Sequence, residues 1–316
     1  MTGRKRYLIT GGAGFIGSTL SEKLLKSGAA VRAVDCFTDY YPRERKEKNI
    51  AAVRNDPAYE FIEADLAETD LGGLLEDVNF VIHLAAQPGV RKSWGGDFQI
   101  YIDQNIKATQ RLLEAMIGRP IERLVYASSS SVYGDTPSLP MKENSYIQPV
   151  SPYGVTKLAA ENLVLLYHKA HRIPSVSLRL FTVYGPRQRP DMAFNKFMKK
   201  ILDGGTIEIF GDGEQTRDFT YVEDVISAFI AACVKGTDGK IYNIGGGHNI
   251  SLNNLIKKLE NITGMEVKRR HIPEQQGEMK HTYADYSSAQ SDLGYSPSYD
   301  LDKGLKNEWE WIKNEN

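Results

Sequence analysis

Short apolar runs alternate along the first half of the chain with longer stretches in which apolar residues recur every three or four positions. Tyr7-Leu8-Ile9-Thr10 is a compact apolar run, followed by glycines and then by a helical pattern from Phe15 to Lys26. Ala30 to Asp35 reads as a second strand that ends in a carboxylate. Phe61-Ile62, Phe80 to Leu84, Leu124 to Ala127 and Val176 to Leu180 have the length and apolar character of buried strands. Between them, Asn105 to Met116 and Tyr153 to Lys169 carry helical spacing. Strands separated by helices predict an α/β fold, a doubly wound parallel sheet covered on both faces.

The pattern changes after about Phe181. Turn signals crowd together at Tyr184-Gly185-Pro186, Asp203-Gly204-Gly205 and Gly211-Asp212-Gly213, and the elements shorten. This predicts a smaller mixed α/β lobe over residues 181–316, after a first lobe over 1–180. A helix near Val222 to Val234 and a strand at Lys240 to Ile244 are expected to return to the first sheet, so about 222–246 belongs with the first lobe.

Composition narrows the function. The 316 residues are 41% hydrophobic and 25% charged with a formal net charge of -1. No global field draws such a chain to nucleic acid or to an anionic membrane. Apolar runs are too short to span a bilayer or to form a signal peptide, so the expectation is a cytoplasmic protein without membrane or nucleic-acid partners. Two cysteines, Cys36 and Cys233, make no disulfide framework, and the six histidines form no ligand pattern, so no metal is expected.

Gly11 and Gly14 lie between the first strand and the first helix, and Phe15, Ile16 and Gly17 open that helix. A pyrophosphate needs close backbone approach, free N–H groups and a helix N-terminus, and glycine clears the side chains from that approach. Glycines in a loop are by themselves ordinary turns. Here the flanking strand and helix, and Asp35 eighteen positions after Gly17, complete a Rossmann-type dinucleotide site. A carboxylate at Asp35 accepts from ribose hydroxyls and repels a 2′-phosphate, which favours NAD over NADP. Asp65 with Leu66, and Leu84, Ala85 and Ala86, end the third and fourth strands, where ligands of such sheets sit.

Tyr153 and Lys157 are four positions apart on a helix and therefore share a face. A free tyrosine is a poor base near neutrality, and an adjacent ammonium favours the phenolate. The polar strand end Ser128-Ser129-Ser130-Ser131 supplies hydroxyls that relay a proton or hold a sugar, although small polar residues are also common in plain loops.

Together these segments resemble the extended short-chain dehydrogenase/reductases, in particular the nucleotide-sugar epimerases and dehydratases. The matching stretches are Thr10 to Gly17, His83 to Ala86, Ser129 to Gly134, Tyr153 to Lys157 and Arg217 to Val222. The resemblance implies that Tyr153 is the base, Lys157 and Asn105 hold the cofactor side and Ser129 shares the proton. It also implies a UDP-sugar held by Arg217 with Gln215 beside the nucleoside, and a homodimer formed through the helices near Asn105 and Tyr153. Dehydratases of this family carry an Asp-Glu pair where this chain has Ser130 and Ser131, and related decarboxylases carry Glu at the second position. With no acid at either place, hydride transfer at C4 remains, which is epimerisation.

The segment Phe181 to Ala193, with Asp39-Tyr40-Tyr41 and Gln87 to Arg91, is similar to that of UDP-glucuronate 4-epimerases. On that likeness Ser130, Ser131 and Thr182 hold a sugar carboxylate, and Arg91 or Arg187 supplies charge. Gln276-Gly277-Glu278 departs from many UDP-hexose epimerases, which have an arginine two residues before that acid; Arg189 is the substitute. For Arg187 and Arg189 a salt bridge between the lobes is the competing reading. UDP-glucose or UDP-N-acetylglucosamine epimerisation, net oxidoreduction with NADH accumulation, and an NAD-sensing regulator are the rival functions.

Overall fold

The computed structural model describes residues 4–136, 138–274, 277 and 279–315. The chain begins with β1 (Arg6–Thr10), α1 (Phe15–Lys26), β2 (Ala30–Asp35), α2 (Arg43–Ala51), β3 (Tyr59–Glu63) and β4 (Phe80–His83). A helix then runs as α3 (Phe98–Tyr101), one π-helical stretch (Ile102–Lys107) and α4 (Ala108–Met116). β5 (Arg123–Ser129), α5 (Pro152–His171), β6 (Ser175–Leu180) and β7 (Thr182–Tyr184) follow. The remainder is α6 (Ala193–Leu202), β8 (Thr206–Phe210), β9 (Thr216–Tyr221), α7 (Val222–Lys235), β10 (Ile241–Ile244), β11 (Asn249–Ser251), α8 (Leu252–Thr263), β12 (Lys268–Ile272), α9 (Ser287–Leu293) and α10 (Leu301–Glu315).

The main sheet has seven strands in the order β10-β6-β5-β4-β1-β2-β3, all parallel. Alternate residues feed two cores, as the two-residue period of a strand requires. Ile9, Val31, Ala33, Ile82 and Val125 face one way, toward the layer of α1 and α7. Leu8, Val34, Val81, Leu124 and Tyr126 face the other, toward α4 and α5. The doubly wound expectation is therefore borne out. β10 joins the sheet beside β6, with Ile241 opposite Ser177 and Ile244 opposite Leu180.

The later strands make two small sheets. β9 pairs with β7 in parallel and with β11 antiparallel, and β8 pairs with β12 in parallel. Phe181 is the joint at which the chain leaves the main sheet and enters the first of these.

α5 begins with Pro152 at its first turn, and Ser151 accepts a hydrogen bond from the Gly154 N–H at 3.1 Å. Proline and a serine cap fix that starting point, because both suit the unsatisfied donors of a first turn. Its buried face carries Lys157, Ala160, Glu161 and Val164 against the sheet.

Candidate active site

The carboxyl ends of β1, β2, β4 and β5 open into one cleft of about 1040 Å³, which continues along β7, β8, β9 and β11. Gly11, Gly14, Phe15, Ile16 and Gly17 form its floor. Gly11 has φ +70°, and a Cβ there would stand 2.9 Å from the Ala85 nitrogen. A Cβ on Gly17 would stand 2.3 Å from the Gly11 carbonyl oxygen. The first turn of α1 has no side-chain cap and no acidic residue, so its N–H groups suit a phosphate. Asp35 lines the same cleft, its carboxylate accepting from the Ala13 and Phe37 N–H groups at 3.2 and 2.9 Å. This geometry fits the dinucleotide NAD.

A buried relay behind the floor sets the shape of the loop after β4. Thr10 Oγ1 accepts from the Leu84 and Ala85 N–H groups at 3.2 and 3.1 Å, so its own proton goes to His83 Nδ1 at 2.7 Å. His83 Nε2 then donates to Thr109 Oγ1 at 2.9 Å, and that hydroxyl donates to the Asn105 carbonyl at 2.6 Å. The tautomer follows from this network. Burial, with Lys157 adding to it, pushes His83 down to about 3 and keeps the ring neutral.

Tyr153, Lys157 and Ser129 all line the cleft. Burial raises the Tyr153 phenol; the Arg189 charge and a hydrogen bond with Ser129 oppose it. Lys157 Nζ donates to the Ala127 carbonyl at 2.6 Å and lies 4.4 Å from the centre of the Tyr126 ring. Burial pushes the ammonium down to about 7, and Glu161 opposes that shift. Arg189 is a second cation placed to favour the Tyr153 phenolate, beside the Lys157 ammonium expected from the sequence. Arg189 is tied to Asp191, which also accepts from the Tyr40 hydroxyl at 3.2 Å.

Most other expected residues line the same cleft: Leu66, Leu84, Ala85, Ala86, Ser130, Ser131, Thr182, Arg91, Gln215 and Arg217. Arg91 stacks on Phe210, 4.1 Å from the ring centre. Arg217 donates to the Thr216 and Lys280 carbonyls at 3.0 Å, which orients its guanidinium. Gln215 donates to the Phe210 carbonyl at 3.0 Å.

Three residues stand differently from expectation. Asn105 is buried behind the cleft, where its amide bonds both the N–H and carbonyl of Gln87 and the Thr156 hydroxyl. It therefore shapes the wall of the cleft and does not line it. Asp65 is also outside the lining, accepting from Ala67 N and from Gln104 Nε2 at 2.8 Å each. Arg187 is outside the lining and pairs with Glu22 on α1, so a salt bridge holds it. Gln276 and Glu278 lie outside the described residues.

Lys46 and Gln104 are among the lining residues that escaped sequence reading. Lys46 is nearly enclosed, 3.6 Å from Asp35 Oδ1, but it sits in the charged run Arg43 to Lys48, which reads as a solvated helix face. Gln104 lines the cleft from within the π-helical stretch, whose extra residue per turn breaks the helical count. Among the described residues, no group of three His, Cys, Asp or Glu side chains is placed to hold a metal ion. No helix among them is long and apolar enough to cross a membrane.

Residues 7–245 match the NAD dependent epimerase/dehydratase family. A Bacillus subtilis (strain 168) protein described as an uncharacterized UDP-glucose epimerase is 44% identical over 96% of both chains. A UDP-glucuronate 4-epimerase of Thermodesulfobacterium geofontis (strain OPF15) is 40% identical, over 97% of this chain and 96% of that one. The crystal structure of UDP-glucuronic acid 4-epimerase from Bacillus cereus, in complex with UDP-glucuronic acid and NAD, superposes with a TM-score of 0.96. It is 46% identical and covers 98% of this chain and 100% of that one. The chain thus belongs to the NAD dependent epimerase/dehydratase family.

Proposed function

We propose that this chain reversibly epimerises C4 of a UDP-hexuronate, interconverting UDP-glucuronate and UDP-galacturonate through a 4-keto sugar. The observation that carries the reading is the hydrogen-bonded pair Tyr153 and Ser129, lining one cleft together with the glycines of the β1–α1 turn and Arg217. The named Thermodesulfobacterium and Bacillus cereus relatives support the uronate.

The floor residues Gly11, Gly14, Phe15, Ile16 and Gly17, with Asp35, Leu66, Leu84, Ala85 and Ala86, would hold NAD, and Asp65 and Asn105 brace them. Bound NAD supplies a reversible hydride acceptor at the sugar. Tyr153 takes the proton of the 4-hydroxyl, with Ser129 sharing it, and returns it after the sugar has turned over. Lys157 holds the cofactor side of the site. Arg217 and Gln215 anchor the UDP so that only the hexose rotates.

A 4-keto uronate is a β-keto acid and loses CO2 most readily when the carboxylate bond stands perpendicular to the keto plane. Ser130, Ser131 and Thr182 donate to the carboxylate and hold it away from that geometry, with Arg91 and Arg189 supplying charge. Among the described residues, the acids in the lining have partners of their own: Asp35 accepts from backbone N–H groups, and Asp191 and Glu208 are paired with Arg189 and Arg270.

Purified protein incubated with UDP-glucuronate should give the galacto epimer by NMR without released CO2 and without NADH accumulating. Turnover of UDP-glucose in place of UDP-glucuronate would overturn the substrate and favour the reading suggested by the Bacillus subtilis relative. Tyr153→Phe should lose about 10²–10⁴ in kcat, the usual worth of a general base.

The finer organisation follows the same reading. The cofactor lobe comprises 1–180 with the return of 222–246, and the sugar lobe 181–316. A homodimer through α4 and α5 is supported by the exposed Val155 and Leu166 on α5. A cytoplasmic setting is supported by two free cysteines.

A further inference from the structure

Three consecutive residues at the end of β5 meet three successive turns of α5. The Ala127 carbonyl accepts from Lys157 at 2.6 Å, the Ser128 hydroxyl donates to Glu161 Oε2 at 2.6 Å, and Ser129 bonds Tyr153. Tyr153, Lys157 and Glu161 are each four positions apart and so stand on one face of the helix. The first two have roles in the reaction proposed above. Glu161 has none there.

Glu161 is fully buried, and so is its partner Arg179 on β6. Two hydrogen bonds join them, Nε to Oε2 at 3.0 Å and Nη2 to Oε1 at 2.7 Å. Arg179 is fixed in turn by the Tyr133 hydroxyl at 2.9 Å and the Glu143 carbonyl at 3.0 Å. A buried ion pair is a poor source of stability, because desolvating both charges offsets their attraction and apolar replacements are often neutral or better. Stability is therefore a weak account of the pair, which stands one helical turn from Lys157. Around Lys157 stand neutral His83 from β4, Tyr126 and the Ala127 carbonyl from β5, and Tyr153 and Glu161 from α5, with Arg179 from β6 behind Glu161. Glu161 is the carboxylate in that group.

We propose that Glu161 is a positioning residue of this active site, oriented by Arg179 so that its carboxylate stands one helical turn from the Lys157 ammonium and clamps the strand end that carries Ser129. The kinetic consequence rests on the epimerase reading; the effect on Lys157 does not.

Glu161→Gln with Arg179→Met removes both charges together and leaves Ser128 an oxygen to donate to. Two measurements on the NAD-loaded protein test it. The first is kcat/KM for UDP-glucuronate against pH. The second is the melting temperature against pH, taken as the difference from the same protein carrying Lys157→Met, which needs no sugar. The unfolded chain keeps Lys157 protonated up to about 10.5 and the folded chain only up to about 7. The unfolded state thus binds more protons in that window, so the penalty of burying Lys157 is relieved as pH rises through it. In the double variant that relief should begin at lower pH. The alkaline limb of kcat/KM should move down by about one unit, a tenfold change in the proton equilibrium. Glu161→Asp, which keeps the charge, should return both curves toward wild type.

Curves for the double variant that superimpose on wild type overturn the proposal, and so does an aspartate variant that behaves like the double one. If the double variant fails to fold, the neutral Ser128→Ala decides: kcat should fall about tenfold with KM unchanged, as for a lost positioning contact, and a wild-type kcat overturns the clamp. A wild-type protein that leaves UDP-glucuronate untouched would sink the function while the melting comparison still judges Glu161.

Discussion

Arg189 and Asp191 are joined by two hydrogen bonds, Nε to Oδ1 at 2.9 Å and Nη2 to Oδ2 at 3.0 Å, at the wall that faces Tyr153. Burial alone would drive the phenol upward, and this guanidinium works against it. In the proposed reaction only the deprotonated phenol accepts the sugar proton. Arg189→Met should therefore move the acid limb of kcat/KM to higher pH, since the base then forms later in a titration. A pH profile of the purified variant checks this, and an unmoved limb would assign Arg189 to binding alone.

Gly17→Ala should abolish copurification of NAD. The new methyl would meet the Gly11 carbonyl oxygen at 2.3 Å and the Gly12 Cα at 2.9 Å, both backbone atoms that cannot swing aside. Overpacking of this kind costs about 1–3 kcal/mol, so the melting temperature should fall as well. Cofactor content is read from the absorbance of denatured protein, and retained NAD would refute the expected clash.

His83 should make the fold acid-sensitive. Its folded value lies near 3 against 6.5 in the unfolded chain. The unfolded state binds the extra proton between those values, so stability falls as pH drops from about 6.5 toward 3. His83→Asn should flatten the melting temperature over that range. A slope that survives the substitution would place the acid sensitivity elsewhere.

Arg187→Ala should leave KM for the UDP-sugar unchanged, because the side chain pairs with Glu22 instead of entering the cleft. Both partners are partly exposed, and the loss should be about 1 kcal/mol or less. A raised KM would return Arg187 to the substrate.

Most of the first lobe was legible from short-range pattern. Ala30 to Asp35 and Phe15 to Lys26 have the expected bounds, since a buried parallel strand and an amphipathic helix each carry a period that neighbours alone determine. The family and its cofactor were equally readable, because glycine at a close approach leaves little choice of residue. What escaped reading depends on distant partners. Arg187 finds Glu22 165 positions away, and nothing local distinguishes it from Arg189, which does reach the cleft. Asn105 and Gln104 were displaced from simple helical counting by the π-helical stretch. β7, of three residues, draws its strand geometry from β9 far along the chain and has too few positions to show a period.

The seat of β10 at the outer edge of the main sheet governs how this protein can be divided. The chain completes six strands, visits the second lobe, and only then supplies the seventh. A fragment stopped at Leu180 would expose the open hydrogen-bonding side of β6, an invitation to stick to other strands. Its complement would carry Ile241–Ile244 with nothing to pair against. The sheet closes only after most of the polypeptide has been made, so separately expressed halves would have to find each other before either becomes soluble.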